Sequence, residues 1–402
     1  MKGLYYLFLI SILFTSLSCS ENVPDFTNDW DEDVYYFGKN LQEKHVDLFF
    51  NISKEEFEDD ILTLRNETSN SENKKIIVEL SKIISKIGDS HTQIQFGSHF
   101  SSLPFKIAWF DDGFFLVEVD ANNLDHLSKK IISVNGIPIM DVIEEFRSVI
   151  SFENESNFKN SVVEYLKYIE FYNELGFNNS ASKITFNLDD GNDYIAEKQT
   201  TETFKLFNSE TPMFLKNRDK FYWFETLIEH DLIYIQYNSC QEINSLSFEA
   251  FTDQIAEEIN TINAFKKVVI DMRHNGGGNS SIMKPLINKL KDYVVNNRFT
   301  KENIYLIIGR KTFSSALLNS IEIKEELDNV VIGEPTGGKP NHYGEVRTFN
   351  LPNSNMKVYY STKYFDLSDL NENSFKPDIY VDYNSEHFIM GIDPILERIK
   401  QD

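Results

Sequence analysis

The sequence predicts an α/β protein built on a mainly parallel sheet, with a smaller β-rich α+β unit and an N-terminal helical segment. Three observations predict it. From residue 211 to 402, short apolar runs alternate with amphipathic stretches, the rhythm of βαβ units. Between 98 and 210, apolar residues alternate with polar ones around Asp-Gly and Asn-Gly turns. Between 23 and 97 the apolar residues recur at helical spacing. A chain of 402 residues exceeds what one core usually spans and suits several such units.

Taken in order, "MKGLYYLFLISILFTSLSCSEN" has a lysine, an apolar run through Phe14 and small polar residues ending at Cys19. That pattern predicts an export signal over 1–19, too short for an ordinary membrane span. A cysteine at the expected cleavage position resembles a bacterial lipobox, which implies lipidation of Cys19 and a membrane anchor in the cell envelope. In "KKIIVELSKIISKIG", Ile76, Ile77, Leu80, Ile83, Ile84 and Ile87 form one helical stripe that Gly88 ends. "FKIAWFDDGFFLVEV" and "ITFNLDDGNDYIAEK" read as hairpins, and "KKIISVNGIPIMDVIEEFRSVI" as strand, Asn-Gly turn, short strand and helix. In the last region "LIYIQYN", "KKVVIDMR", "NIYLIIG" and "NVVIG" are candidate strands of one sheet.

Charge narrows the partners. The 63 acidic against 39 basic residues give a net −24, a surface that repels nucleic acid. With Cys19 lipidated, only Cys240 is left, so no intrachain disulfide forms; Cys240 reads as a buried thiol. The eight histidines form no metal-binding pattern, and no cofactor motif is present.

Three short stretches can carry chemistry. "VVIDMRHNGGGNSS" puts Gly276, Gly277 and Gly278 after a buried strand, where backbone N–H groups can face a ligand or a developing oxyanion. "TFSSALL" puts Ser314 at a strand-to-helix junction, with the Ser315 amide beside it; capping is the alternative role for either serine. "GEPTGGKP" puts Lys339 in a glycine-rich loop, where it is a general base only if a dry pocket without a neighbouring acid lowers its pKa. Asp271 and Arg273 read as a structural pair.

Together "VVIDMRHNGGG", "TFSSA" and "GEPTGGK" resemble the S41 serine peptidases, the tail-specific or carboxyl-terminal processing group. The resemblance covers the C-terminal half and implies a crotonase-like core acting on polypeptides. It implies Ser314 as nucleophile, Lys339 twenty-five positions later as base, and Ser315 with one of Gly276, Gly277 and Gly278 as oxyanion hole. The "IISVNGIPIMDV" segment resembles part of a PDZ-like domain. Leu317 stands where many members have Glu, and Tyr343 where a glutamine often orients the lysine; Asn341 or His342 is the expected substitute. A tricorn-related branch uses an upstream histidine as base, and His91 in "GDSHTQI" resembles that segment. An inactive ligand-binding relative on the same scaffold is the alternative function.

Overall fold

The computed structural model of the chain describes residues 24–97, 99–198, 206–207, 212–262, 264–369 and 372–402. Cys19 lies outside them. Among the described residues the architecture is mixed α/β, with three sheets and helices packed around them. No helix among the described residues is long and apolar enough to cross a membrane.

Helices Asp29–Lys44, Lys54–Glu67 and Asn73–Ile87 form the N-terminal segment. The isoleucine stripe is buried, and Gly88 closes the third helix at φ 75°, a left-handed turn that only glycine adopts without strain. The next unit is an antiparallel sheet in the order Phe105–Phe110, Gly113–Asp120, Lys130–Val134, Lys183–Leu188, Asp193–Glu197. Asn135 and Gly136 both have positive φ, 50° and 82°, as a two-residue type I′ turn requires. One buried hydrophobic cluster runs through these helices and this sheet.

The C-terminal half carries a six-stranded sheet in the order Ile379–Tyr380, Val330–Gly333, Ile304–Ile308, Lys267–Asp271, Leu232–Tyr237, Tyr222–Leu227. All neighbours are parallel except the Tyr222–Leu227 edge. Its inner strands are apolar on both faces because helices cover both; Ile304–Ile308 is buried at every position. Three adjacent strands therefore deliver three loops to one end of the sheet. Those loops follow Asp271, Ile308 and Gly333, and carry the glycine triplet, Ser314 and Lys339.

Two features are absent from the sequence reading. Helices Glu155–Tyr165 and Ile169–Glu174 interrupt the β-rich unit. The long hairpin His342–Asn350 with Lys357–Phe365 leaves the parallel sheet and pairs with the two-residue strand Gln93–Ile94. It buries Leu351, Met356 and Val358 in the N-terminal cluster, whose apolar surface it completes.

Candidate active site

The turn before Ser314 is pinned residue by residue. Thr312 Oγ1 donates to the Met272 carbonyl at 3.0 Å and accepts from the Gly309 amide at 3.0 Å, while Phe313 N–H donates to the Asn275 carbonyl at 3.1 Å. The chain then passes through Ser314 at φ 53°, ψ −128° and enters helix Ser315–Leu327. That backbone conformation costs a residue with a Cβ about 1–3 kcal/mol. Ser314 makes no capping hydrogen bond in return, so the hydroxyl is not a helix cap. A hydroxyl held at a strained strand-to-helix turn, half-buried and uncommitted, is the arrangement of an acyl-transfer nucleophile.

Asn275, fully buried, shapes the glycine turn. Its Oδ1 accepts the Gly277 amide at 2.9 Å and its Nδ2 donates to the Tyr237 carbonyl at 3.0 Å. The Gly277 amide is therefore occupied. The amides of Gly276, Gly278 and Ser315 have no partner among the described residues and remain as candidate oxyanion donors. Ser315 Oγ donates to the Gly278 carbonyl at 2.6 Å, tying helix to turn. Gly277 has φ 108°, and a Cβ there would lie 2.8 Å from Ser314 Cβ and 3.0 Å from the Ser315 amide nitrogen. Gly277→Ala is expected to lower kcat/KM at least ~100-fold by covering that amide and displacing the serine. Steady-state cleavage of a fluorogenic peptide measures it, and near-normal kinetics would remove the Ser315 amide from the hole.

His91 reaches this turn from the other side. Its ring stacks on Phe313, the residue before Ser314, at 4.3 Å between centroids. His91 Nδ1 lies 3.6 Å from Glu153 Oε1 and 3.8 Å from Asp89 Oδ1. Both ring nitrogens are buried and neither has a hydrogen-bond partner among the described residues. Glu153 sits just before helix Glu155–Tyr165, accepting from Ser90 Oγ at 2.7 Å and from the Lys339 backbone amide at 3.2 Å.

Asp89 holds this corner together. His45 Nδ1 accepts from the Asp47 amide at 3.0 Å, so Nε2 carries the proton and donates to Asp89 Oδ2 at 3.0 Å. Thr92 and Ser361 hydroxyls donate to the same oxygen at 2.6 and 2.7 Å, and the His91 amide donates to Oδ1 at 3.0 Å. Burial pushes the Asp89 pKa up, but the His45 hydrogen bond, the nearby His91 and the two hydroxyls outweigh it and hold the carboxyl at about 2. A carboxyl depressed below its unfolded value contributes stability above pH ~4 and loses it as pH falls toward 2. The contribution is about 2 kcal/mol. The urea midpoint of Asp89→Asn is expected to lie well below wild type at pH 6 and to converge with it near pH 2; a constant gap would refute this linkage.

Lys339 lies in a loop packed on the nucleophile's helix: Gly338 N–H donates to the Thr312 carbonyl, and a Cβ on Gly338 would meet Leu317 at 2.8 Å. Leu317 is fully buried there. The lysine opens into a cavity of about 140 Å³ that Asp89 and Glu153 also line, with Phe50, Tyr343 and Tyr364 among its walls. Its surroundings thus contain two acids, unlike the acid-free pocket a lysine base requires. None of the expected orienting residues bonds the amine. Asn341 is committed to Leu367 and Ser368, His342 Nδ1 to the Pro340 carbonyl, and the Tyr343 hydroxyl donates to Asp47 Oδ2 at 2.7 Å.

Outside this corner, the Arg273 guanidinium forks onto Asp393 at 3.0 and 2.8 Å and contacts Asp271, which also accepts from the Tyr234 hydroxyl. Cys240 is buried, with its thiol pushed up to about 11 by desolvation, and so is no nucleophile at neutral pH. Glu153 escaped the sequence reading. Asn154 marks a helix start, but nothing local links residue 153 to His91.

Residues 231–381 match the sequence model of Peptidase family S41. That segment holds the glycine triplet, Ser314 and Lys339. No curated protein matches the chain. Among solved structures, mature CPAF complexed with lactacystin aligns at TM-score 0.63 with 11% identity, covering 93% of this chain and 97% of that one. Mature CPAF alone gives 0.63, 12%, 93% and 96%, and the photosystem II D1 C-terminal processing protease gives 0.46, 12%, 93% and 97%. At such identities the CPAF likeness is one of fold. Over residues 231–381 the chain is similar to peptidase family S41.

Proposed function

We propose that the protein is an exported serine endopeptidase in which Ser314 attacks the scissile carbonyl and His91 takes its proton. The observation that carries this reading is the His91 ring, stacked on Phe313, the residue before the strained serine, with Nδ1 facing Glu153 and Asp89. Carboxylates at Nδ1 favour the tautomer with its proton there, leaving the Nε2 lone pair to accept from a hydroxyl. Glu153 orients the ring, while Asp89, held by three donors on Oδ2 and one on Oδ1, fixes the turn. Amides of Ser315 and of Gly276 or Gly278 stabilise the oxyanion. Lys339 contributes a positive charge at the neighbouring cavity.

The substrate is an unfolded or extended polypeptide, held by the PDZ-like order of hairpin, strand, Asn-Gly turn and helix beside a crotonase-like core. The N-terminal signal pattern supports export and anchoring through Cys19. Purified protein treated with a fluorophosphonate probe tests the reading. Labelling is expected at one site, lost in Ser314→Ala together with cleavage of casein; an unlabelled wild type would favour an inactive binding scaffold.

A further inference from the structure

The cluster beside the serine has a second property. Asp89, His91 and Glu153 each present a ligand atom, and these atoms lie within 4.8 Å of one another. The geometry points to a regulatory metal site here: we propose that a borderline transition-metal ion, Zn²⁺ foremost, binds His91 Nδ1 with the Glu153 and Asp89 carboxylates and reversibly switches the peptidase off. The proposal rests on His91 acting as the base.

Size is the first argument. Two ligands bound tetrahedrally at about 2.0–2.2 Å stand about 3.4 Å apart. The 3.6 and 3.8 Å from Nδ1 to the two carboxylate oxygens need only tenths of an ångström of adjustment. The second argument is vacancy. His91 is 7% exposed, yet its Nδ1 has no hydrogen-bond partner among the described residues, an expensive state that coordination would relieve. Glu153 Oε1 and Asp89 Oδ1 each accept one hydrogen bond, from Ser90 Oγ and the His91 amide, and keep a lone pair.

Charge is the third. Two carboxylates and Lys339 face the corner, so its balance stays negative. His342, stacked 5.7 Å from His91, is held below the usual imidazole range by burial and adds no charge. One imidazole with two carboxylates and an open fourth position suits Zn²⁺, whereas Mg²⁺ prefers six oxygens at octahedral angles. The aromatic-mouthed cavity lined by Asp89 and Glu153 gives access from solvent.

The switching step is a matter of one lone pair. Before binding, the ring proton sits on Nδ1 and the Nε2 lone pair is free. The ion takes the Nδ1 lone pair, so the proton moves to Nε2, and the metal-bound, Nε2-protonated ring has nothing with which to accept the Ser314 proton. The Nδ1–H bond is exchanged for an Nε2–H bond and a metal–Nδ1 bond, and chelation reverses both.

Isothermal titration of ZnCl₂ into untagged, chelator-free Ser314→Ala protein tests the site without turnover. The expected result is 1:1 binding, at least 10-fold weaker in Ser314→Ala/Glu153→Gln and lost in Ser314→Ala/His91→Ala, with Mg²⁺ giving no competition. Wild-type peptide cleavage is expected to fall below a tenth at saturating Zn²⁺ and to recover with EDTA. Circular dichroism confirms that each variant is folded, and zinc X-ray absorption on Ser314→Ala gives the ligand set if a variant is not. No stoichiometric binding, binding indifferent to both substitutions, a ligand set without nitrogen, or full activity with the site loaded would each overturn the proposal. Because binding is read in Ser314→Ala, its failure is distinct from an absence of peptidase activity in the wild type.

Discussion

Ser314→Gly is expected to lose activity by roughly 10⁴-fold or more and, at the same time, to unfold at a higher temperature than Ser314→Ala. The first half follows from the chemistry: with no hydroxyl there is no acyl-enzyme, and what is left is binding and the oxyanion amides. The second follows from the backbone. Ser314 occupies φ 53°, ψ −128°, where its Cβ costs about 1–3 kcal/mol. Alanine keeps that Cβ and the strain; glycine removes it, at an unfolded-state entropy cost of about 0.5–1 kcal/mol. The difference of about 1 kcal/mol corresponds to ~1 °C in Tm for a chain of 402 residues. Differential scanning calorimetry of both variants, with kcat/KM on a quenched peptide, measures it. A glycine variant melting below the alanine variant would mean that the turn stores no strain, and turnover in either would exclude Ser314 as nucleophile.

Removing the His91 imidazole is expected to cost at least ~1,000-fold in kcat/KM, whereas Lys339→Met costs less than ~10-fold. The asymmetry comes from surroundings. His91 offers two ring nitrogens without hydrogen-bond partners, beside Phe313, while Lys339 opens into a cavity that Asp89 and Glu153 line, not the acid-free pocket of a lysine base. Added imidazole is expected to restore part of the His91→Ala activity by entering the space left against Phe313; a merely structural histidine would show no rescue. Equal activity of wild type and His91→Ala, with Lys339→Met inert, would transfer proton abstraction to the lysine.

The strands and turns were legible because their signals are local. "NIYLIIG" reads as buried on both faces, and Asn135-Gly136 as a type I′ turn, since burial and positive φ each leave a mark on neighbouring residues. The convergence of Gly277, Ser314 and Lys339 was readable from order alone, as each follows a strand of one sheet. Partners across distance were not. Glu153 meets His91 through a fold that brings together Ser90 and the Lys339 amide, and no spacing rule connects them. The hairpin at 342–365 alternates like any other, so its departure to pair with Gln93–Ile94 left no local trace. Helices Glu155–Tyr165 and Ile169–Glu174 are short, and most of their stability comes from packing against the sheet and the N-terminal helices.

Asp89 gathers His45, Thr92 and Ser361 onto one oxygen, joining chain positions 316 residues apart. During synthesis the third donor leaves the ribosome last, after Ser314 has already emerged. A nascent chain thus carries Ser314 for some time without a fixed histidine turn, and a fragment limited to 231–381 lacks His91 and Glu153 altogether. Under the proposed mechanism, catalytic competence is therefore a property of the finished molecule.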